Sequence, residues 1–298
     1  MWSEAFPQLG QKINWFPGHM YRALRIMREN LTNVDMFIEL RDSRVPISSK
    51  NSEFDELIFA NNKKKFILFN KFDLCNQRVT QKLIDGYNKV GINCMAISAK
   101  KGTHMKELLK NEMQQFIPQK YDTVGMWLML CGMPNVGKST IINQFRHLSP
   151  QLRTKKKLAK QAPLPCTTKN INNIKIYDDA LSKNKVYLLD TPGVMIPRII
   201  DDETALKLSI IGCIKDVIPG KEPLIEYLVW ALNKQKVKKY MHYYGMSNQA
   251  GNGKELFMHV RDKYRHFNYE TTFDQILDDF RCGNLGNITL DDISQLEM

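Results

Sequence analysis

Nothing in this 298-residue sequence approaches the run of about twenty apolar residues that a helix needs to cross a bilayer. Apolar stretches such as Phe66 to Phe69 and Trp127 to Cys131 have the length of strands, which excludes a helical membrane protein. Cysteine is sparse and unpatterned: Cys75, Cys94, Cys131, Cys166, Cys213 and Cys282 form no C-x-x-C pair. Such spacing suits neither a zinc site nor a disulfide framework and implies reduced thiols in a reducing compartment. No internal repeat or long low-complexity tract is present. The first fourteen residues carry Glu4 and lack the apolar core of a secretory signal, and they are short and poor in Arg for an organellar presequence. Acid is in deficit. With 31 Asp and Glu against 43 Lys and Arg, the net charge is +12, a surplus that favours contact with a polyanion such as RNA.

What is present reads as a soluble globular chain of about two domains. Hydrophobic residues at 43% and charged residues at 25% can build a core without staples. Short β-rich runs at Met36 to Leu40, Lys65 to Asn70, Asn93 to Ser98, Trp127 to Gly132 and Val186 to Asp190 alternate with helical stretches. The helices are expected at Met20 to Leu31, Asn51 to Ala60, Gln77 to Val90, Met105 to Phe116 and Lys138 to Arg146. This alternation predicts an α/β fold with a mostly parallel sheet and helices on both faces. After about Pro197 the character changes. Stretches such as Glu222 to Tyr243 and Asn252 to Tyr264 have helical periodicity, and Lys234, Lys236, Lys238 and Lys239 cluster there. The expected division is therefore residues 1–198 and a small helical domain over 199–298.

Gly132-Met-Pro-Asn-Val-Gly-Lys-Ser139 fits G-x-x-x-x-G-K-[ST] in full, after an apolar run and before a helix-compatible stretch. In that context the backbone from Asn135 through Val136, Gly137, Lys138 and Ser139 to Thr140 closes around phosphates at a helix N-terminus. Lys138 is expected to reach the β- and γ-phosphates, and the Ser139 hydroxyl to ligate Mg²⁺. The bland reading, a Gly-rich turn before a helix, is disfavoured by the flanks. Downstream, Tyr187-Leu-Leu-Asp190-Thr-Pro-Gly193 describes a buried strand delivering a carboxylate to its C-terminal end, where open α/β sheets place ligands. Asp190 is expected to hold the Mg²⁺ shell through water, and the Gly193 amide to sense the γ-phosphate. The Lys-rich stretch Arg153 to Lys169 ends in Pro165-Cys-Thr-Thr168. Thr168 is expected to close on Mg²⁺, with Thr167 as its rival.

Asn70-Lys71-Phe72-Asp73 follows one strand and Ser98-Ala99-Lys100 the next. An Asp at that place can accept from the guanine N1–H and exocyclic amine, donors that adenine does not match. Two charge-assisted bonds at ~1.5–3 kcal/mol each discriminate by roughly 10²- to 10⁴-fold. Either motif alone is common in surface turns. Together with the phosphate loop they predict a guanine nucleotide. These base motifs precede the phosphate motifs, the reverse of Ras-like order, so the expected fold is a circularly permuted P-loop GTPase domain whose site still closes because the cuts fall in loops. Val194 stands where Ras-like enzymes carry a water-orienting glutamine, which predicts slow hydrolysis in isolation.

This ordering, with Trp15-Phe-Pro-Gly-His-Met20, Arg41-Asp-Ser-Arg-Val-Pro46 and Phe280-Arg-Cys-Gly-Asn-Leu-Gly286, resembles the circularly permuted GTPases of the RbgA/YlqF family. Phe6-Pro7 and His242-Tyr-Tyr-Gly245 are most similar to its mitochondrial branch. The resemblance implies a matrix protein on the inner membrane that assists late assembly of the large mitoribosomal subunit, contacting rRNA and ribosomal proteins. It also implies His19 as the residue that places or activates the attacking water. Asn135 resembles the asparagine of potassium-dependent GTPases, whose side-chain oxygen helps hold K⁺ near the phosphates. GTP or GDP, Mg²⁺ and K⁺ are thus the expected ligands, and a monomer is the default state. Cys166 replaces the glycine that the family carries ahead of its switch threonine. The short leader implies import by an atypical or internal signal.

Overall fold

The computed structural model describes residues 24–25, 27–109, 125–148, 172–178, 185–190, 201–265 and 267–294. Six strands form one sheet: β1 (Met36–Asp42), β2 (Lys64–Asn70), β3 (Cys94–Ala96), β4 (Met126–Gly132), β5 (Asn172–Asp178) and β6 (Lys185–Asp190). Their spatial order is β3-β2-β1-β4-β6-β5, parallel throughout apart from the antiparallel β5–β6 pair. From β1 the chain builds outward to β2 and β3, then returns to the other side of β1 with β4. The junction of β1 and β4 is therefore a topological switch point, the place where open α/β sheets form a crevice at their carboxyl ends.

Residue period two sorts the sheet's side chains onto two faces. Ile38, Leu40, Leu128, Leu130 and Leu188 lie on one face with Ile141, Ile142 and Phe145 of helix α3 (Lys138–Leu148). Phe37, Met129, Cys131 and Leu189 lie on the other, against Phe54, Leu57 and Ile58. The last three belong to α1 (Ser52–Ala60), which starts where the Asn51 side chain accepts from Glu53 N–H. Helix α2 (Gln77–Lys89) covers the β2–β3 end with Leu83 and Ile84. Helix α3 (Lys138–Leu148) follows β4 directly after the phosphate-loop sequence. Glu39 and Arg41, fully buried on β1, neutralise each other at 2.7 Å, and Lys65 adds a second cation 2.6 Å from Glu39.

Beyond residue 200 the described chain is helical: α4 (Asp202–Ile210), α5 (Lys221–Lys234), α6 (Lys239–Tyr244), α7 (Gly253–Tyr264) and α8 (Tyr269–Cys282). Asp201, Asn252 and Asn268 cap three of them by accepting from backbone N–H groups two or three residues on. Their apolar faces do not form a separate core. Leu206, Leu228, Ile276 and Phe280 belong to the same continuous cluster as Leu40, Leu130 and Ile142.

The helix-compatible stretch Glu222 to Tyr243 is divided. Lys236 takes a left-handed φ of 55°, the Val237 N–H returns to Leu232 O at 2.9 Å, and the chain restarts as α6. Of the helix expected at Met20 to Leu31, residues 24–25 and 27–30 are helical and Leu31–Asn33 tighten into a 3₁₀ turn, while residues 20–23 and 26 lie outside the described residues. Residues 110–116 of the expected Met105 to Phe116 helix lie outside them as well. Strand β5 was not expected from the sequence.

Phe280 is 1% exposed in the shared core, and the Arg44 guanidinium sits 5.6 Å above its ring. Phe280→Ala is expected to destabilise the whole chain by roughly 3–5 kcal/mol. Urea unfolding followed by tryptophan fluorescence measures this; a cost below about 1 kcal/mol would contradict a shared core.

Candidate functional site

The parallel register brings the ends of four strands to one edge. Asp42 lies opposite Asn70, Leu40 opposite Gly132, and Leu130 opposite Asp190. The last residues of β1, β2, β4 and β6 are thus the starting points of the loops that carry the motif residues.

Asn70 joins the phosphate loop after β4 to the Ser98–Lys100 turn after β3. Its Nδ2 donates to Val136 O at 2.8 Å, and its Oδ1 accepts from Ala99 N–H at 3.0 Å. The carboxamide is almost fully buried, so both bonds replace water rather than compete with it. Gly137 has to be glycine here. At φ +105° its Cβ would stand 2.2 Å from Asn70 Nδ2, a backbone conformation and a contact that no side chain tolerates. Lys71, also left-handed at φ 62°, makes a second stitch by donating to Asn135 O at 2.7 Å.

Lys138 is buried, and its Nζ donates to Gly132 O at 3.0 Å and Met133 O at 2.6 Å, inside the curl of its own loop. Ser139 and Thr140, both half-buried, follow on the first turn of α3. At the other end of the cleft, Asp73 Oδ1 accepts from Ser98 Oγ at 2.6 Å, while Asp73 Oδ2 lies 3.4 Å from Lys101 Nζ. The carboxylate is therefore held in one orientation by its neighbours. Lys100 lines the same cleft, which has a volume of about 940 Å³ and also reaches Asn135, Gly137 and Thr140. Asn70, Lys71, Asp73, Ser98, Ala99, Lys100, Asn135, Val136, Gly137, Lys138, Ser139 and Thr140 accordingly converge. Asp190 ends β6 at the same edge, while His19, Thr168 and Gly193 lie outside the described residues.

Asn135 does more than flank the loop. With a left-handed φ of 58°, it directs Nδ2 onto Gly212 O at 2.8 Å, just beyond α4. The neighbouring Cys213 thiol donates to Pro134 O at 3.0 Å, and burial pushes that thiol up to about 12, so it stays protonated as a donor. Two backbone-directed bonds therefore fasten the phosphate loop to the helical part.

Sequence reasoning noted Arg41-Asp-Ser-Arg44 for its family likeness alone and missed its physical role. Asp42 Oδ1 and Oδ2 accept from Arg44 Nε at 2.9 Å and Nη2 at 2.8 Å, and Lys71 Nζ lies 2.9 Å from the same carboxylate. Burial raises the Asp42 carboxyl's proton affinity, but the two cations outweigh it and hold the group well below the usual carboxylate range. Charges of opposite sign clustered at the end of a buried strand, Glu39, Arg41 and Asp42 followed by Arg44, are the signal that could have exposed this hub.

Comparisons with known proteins follow the same outline. Residues 56–199 match the RsgA GTPase family. The chain is 32% identical to Ribosome biogenesis GTPase A of Priestia megaterium, over 96% of this chain and 98% of that protein. It is 31% identical to Mitochondrial ribosome-associated GTPase 1 of Mus musculus, over 97% of this chain and 94% of that protein. The fold is similar to a GNP-bound YlqF from T. maritima, with a TM-score of 0.55 and 22% identity over 91% of this chain and all of that one.

The Asp42 hub has a pH signature. Because its folded-state pKa is depressed, its stabilising contribution is complete above the unfolded value of about 3.9 and is lost as pH falls toward the folded one. Asp42→Asn should therefore cost about 3–5 kcal/mol at pH 7, and the gap to the parent chain should narrow below about pH 4. Denaturant titrations across pH 2–7 read this out, and a gap independent of pH would exclude the ionic account.

Proposed function

This chain belongs to the family of Ribosome biogenesis GTPase A and the mitochondrial GTPases related to it, and from that premise we propose that it assists late assembly of the large mitochondrial ribosomal subunit. It is a GTPase that binds guanine nucleotide. In this reading the nucleotide state controls docking on the subunit and release from it. Residues 199–298 form the part that engages rRNA and ribosomal protein, through the local cluster of Lys234, Lys236, Lys238 and Lys239, since the chain's net positive surplus lies in residues 1–198. The chain acts as a monomer on the matrix side of the mitochondrial inner membrane, attached peripherally. No helix among the described residues is long and apolar enough to cross a membrane.

The observation that carries the reading is the buried Asn70 bridge, which holds a phosphate loop and a base-recognition turn at one sheet edge. Asp73, oriented by Ser98 and Lys101, accepts from guanine N1–H and the exocyclic amine, and a backbone N–H of the Ala99–Lys100 turn donates to the guanine carbonyl. Lys138 leaves its loop carbonyls for the β- and γ-phosphates, where it stabilises charge developing on the transferred group. Ser139 and Asp190 supply oxygen donors of the hard type that Mg²⁺ prefers, with Thr168 joining them. Among the described residues no cluster of three or more His, Cys, Asp or Glu could cage a metal. That donor set fits an ion held jointly with phosphates. The ion would neutralise phosphate charge. His19 places the water that attacks the γ-phosphorus, giving GDP and phosphate. The Asn135 side-chain oxygen is assigned to K⁺, its amide nitrogen being the atom on Gly212 O.

One assay tests these assignments: GTP turnover by the purified chain with and without large mitochondrial subunits, in KCl or NaCl. Turnover should be slow alone and rise at least tenfold with large subunits, but not with small subunits or with ATP. His19→Ala should keep GTP binding and lose the stimulated component. Unchanged stimulation in that variant would remove His19 from the mechanism, and equal rates in KCl and NaCl would remove K⁺. Tight GTP binding with no turnover under any condition would instead favour a nucleotide-gated RNA-binding scaffold.

A further inference from the structure

The turn that carries Asp73 is gripped from outside the nucleotide-binding sheet. Asn287 Nδ2 donates to the backbone carbonyl of Asp73 at 2.8 Å. Thr289 Oγ1 accepts from Asn76 N–H at 3.2 Å, at the far end of the same turn. Between them, Gly283, left-handed at φ +86° at the end of α8, lies so close to Leu74 that a Cβ there would stand 2.6 Å from Leu74 Cδ2. The next anchor is Leu290 N–H on Arg44 O at 2.7 Å. Residues 283–290 thus follow the base turn atom by atom, although more than two hundred residues separate them in sequence. Gly283, Asn284 and Asn287 also form one wall of the cleft that holds Asp73 and Ser98.

We infer that the segment Gly283–Thr289 is part of the guanine-recognition apparatus, and that Asn287 is a positioning residue that sets the selectivity of Asp73. The Asp73 side chain is aimed by Ser98 and Lys101, but those contacts fix it relative to the β3 loop alone. Its backbone belongs to a three-residue 3₁₀ turn, Phe72–Leu74, entered through the left-handed Lys71. The turn is pinned at its start by Phe72 N–H on Ile97 O at 3.1 Å and internally by Leu74 N–H on Lys71 O at 2.8 Å, and the Asn287 bond adds the contact on the Asp73 carbonyl itself, from outside the sheet. The inference rests on the reading of Asp73 as the guanine acceptor. A loosened turn costs guanine two hydrogen bonds and hypoxanthine, which lacks the exocyclic amine, only one. Loss of Asn287 should therefore weaken guanine selectively.

The test uses the full chain and measures dissociation constants for GDP and IDP, together with nucleotide-free stability. Asn287→Ala should weaken GDP about fivefold and lower the IDP-to-GDP ratio of dissociation constants, with Asn287→Gln recovering part of both. Thr289→Val, which removes the acceptor at the other end of the turn, should act in the same direction and stands in if the alanine variant does not fold. Equal weakening of GDP and IDP, or no weakening, overturns the inference. Asp73→Asn separates the two levels. If it collapses the GDP–IDP preference while Asn287 and Thr289 do nothing, the positioning idea fails alone. If it leaves the preference intact, the reading of the base site fails first.

Discussion

The Asn70 carboxamide is a clamp between loops that lie 66 and 29 residues away in sequence, and the geometry of the cleft is fixed by it. A phosphate loop and a base-recognition turn can serve one nucleotide only at a set separation. In this chain they follow different strands, β4 on one side and β2 and β3 on the other, with β1 between them in the sheet. Removing either partner would leave a buried donor or acceptor unsatisfied at about 1–3 kcal/mol each, so neither loop can drift independently. The clamp also explains the close packing of Gly137, whose missing side chain is the space that Asn70 occupies. Permuting the chain left this edge intact because β1 and β4 remain neighbours whichever one the chain reaches first.

Beside the clamp, charge performs the same joining function at a higher stake. Asp42 sits with Arg44 and Lys71 in the interior, where unpaired ions cost several kcal/mol and paired ones hold a fixed geometry. Lys71 then passes that constraint to the phosphate loop through Asn135 O. Arg44 passes it to the helical part through the Phe280 ring and through its own carbonyl, which accepts from Leu290 N–H. Asp291 completes the seam. Its carboxylate accepts from Ile47 N–H, Ser48 N–H and Ser48 Oγ and lies 3.3 Å from Lys207 Nζ. A hub with one carboxylate and two cations is thus shared by the sheet edge, the base motif and the C-terminal segment.

The legible parts of this molecule were those with strong periodicity or strict local chemistry. Strands β2, β4 and β6 carry apolar runs and β1 an apolar stretch interrupted by Glu39 and Arg41; β5 is an antiparallel edge strand whose Asn172, Asn173 and Lys175 break any such run. The division between α5 and α6 escaped because Lys236 is not a residue whose identity announces a left-handed φ. At the site, the residues that converge on the cleft could be picked out because each motif has its own backbone requirement. The contacts of Asn287, Thr289 and Gly212 could not, since a side chain meeting a distant backbone group leaves no pattern in sequence. Asp42 and Arg44 fall between these cases: the residues stood out, but their partners were visible only in three dimensions.

The two nucleotide-facing loops are each tied to the helical part by separate bonds, and this constrains how the chain can respond to a partner. Pro134 and Asn135 are held from Cys213 and Gly212, and the Asp73–Asn76 turn is held from Asn287 and Thr289. A surface that shifts the helical part relative to the sheet must therefore distort the phosphate end, the base end, or both. Each bond is worth about 0.5–1.5 kcal/mol net, so four of them set an upper range of roughly 2–6 kcal/mol for the coupling. Reciprocity then requires that nucleotide binding alter affinity for that surface by the same factor by which the surface alters nucleotide affinity. Because residues 283–290 follow directly after α8, whose Phe280 lies in the shared core, the helical part cannot swing away as a rigid lid without breaking apolar packing. Small sliding at the Gly212 and Asn287 contacts costs far less than opening that core, and it is the motion through which the two loops and the helical part can communicate.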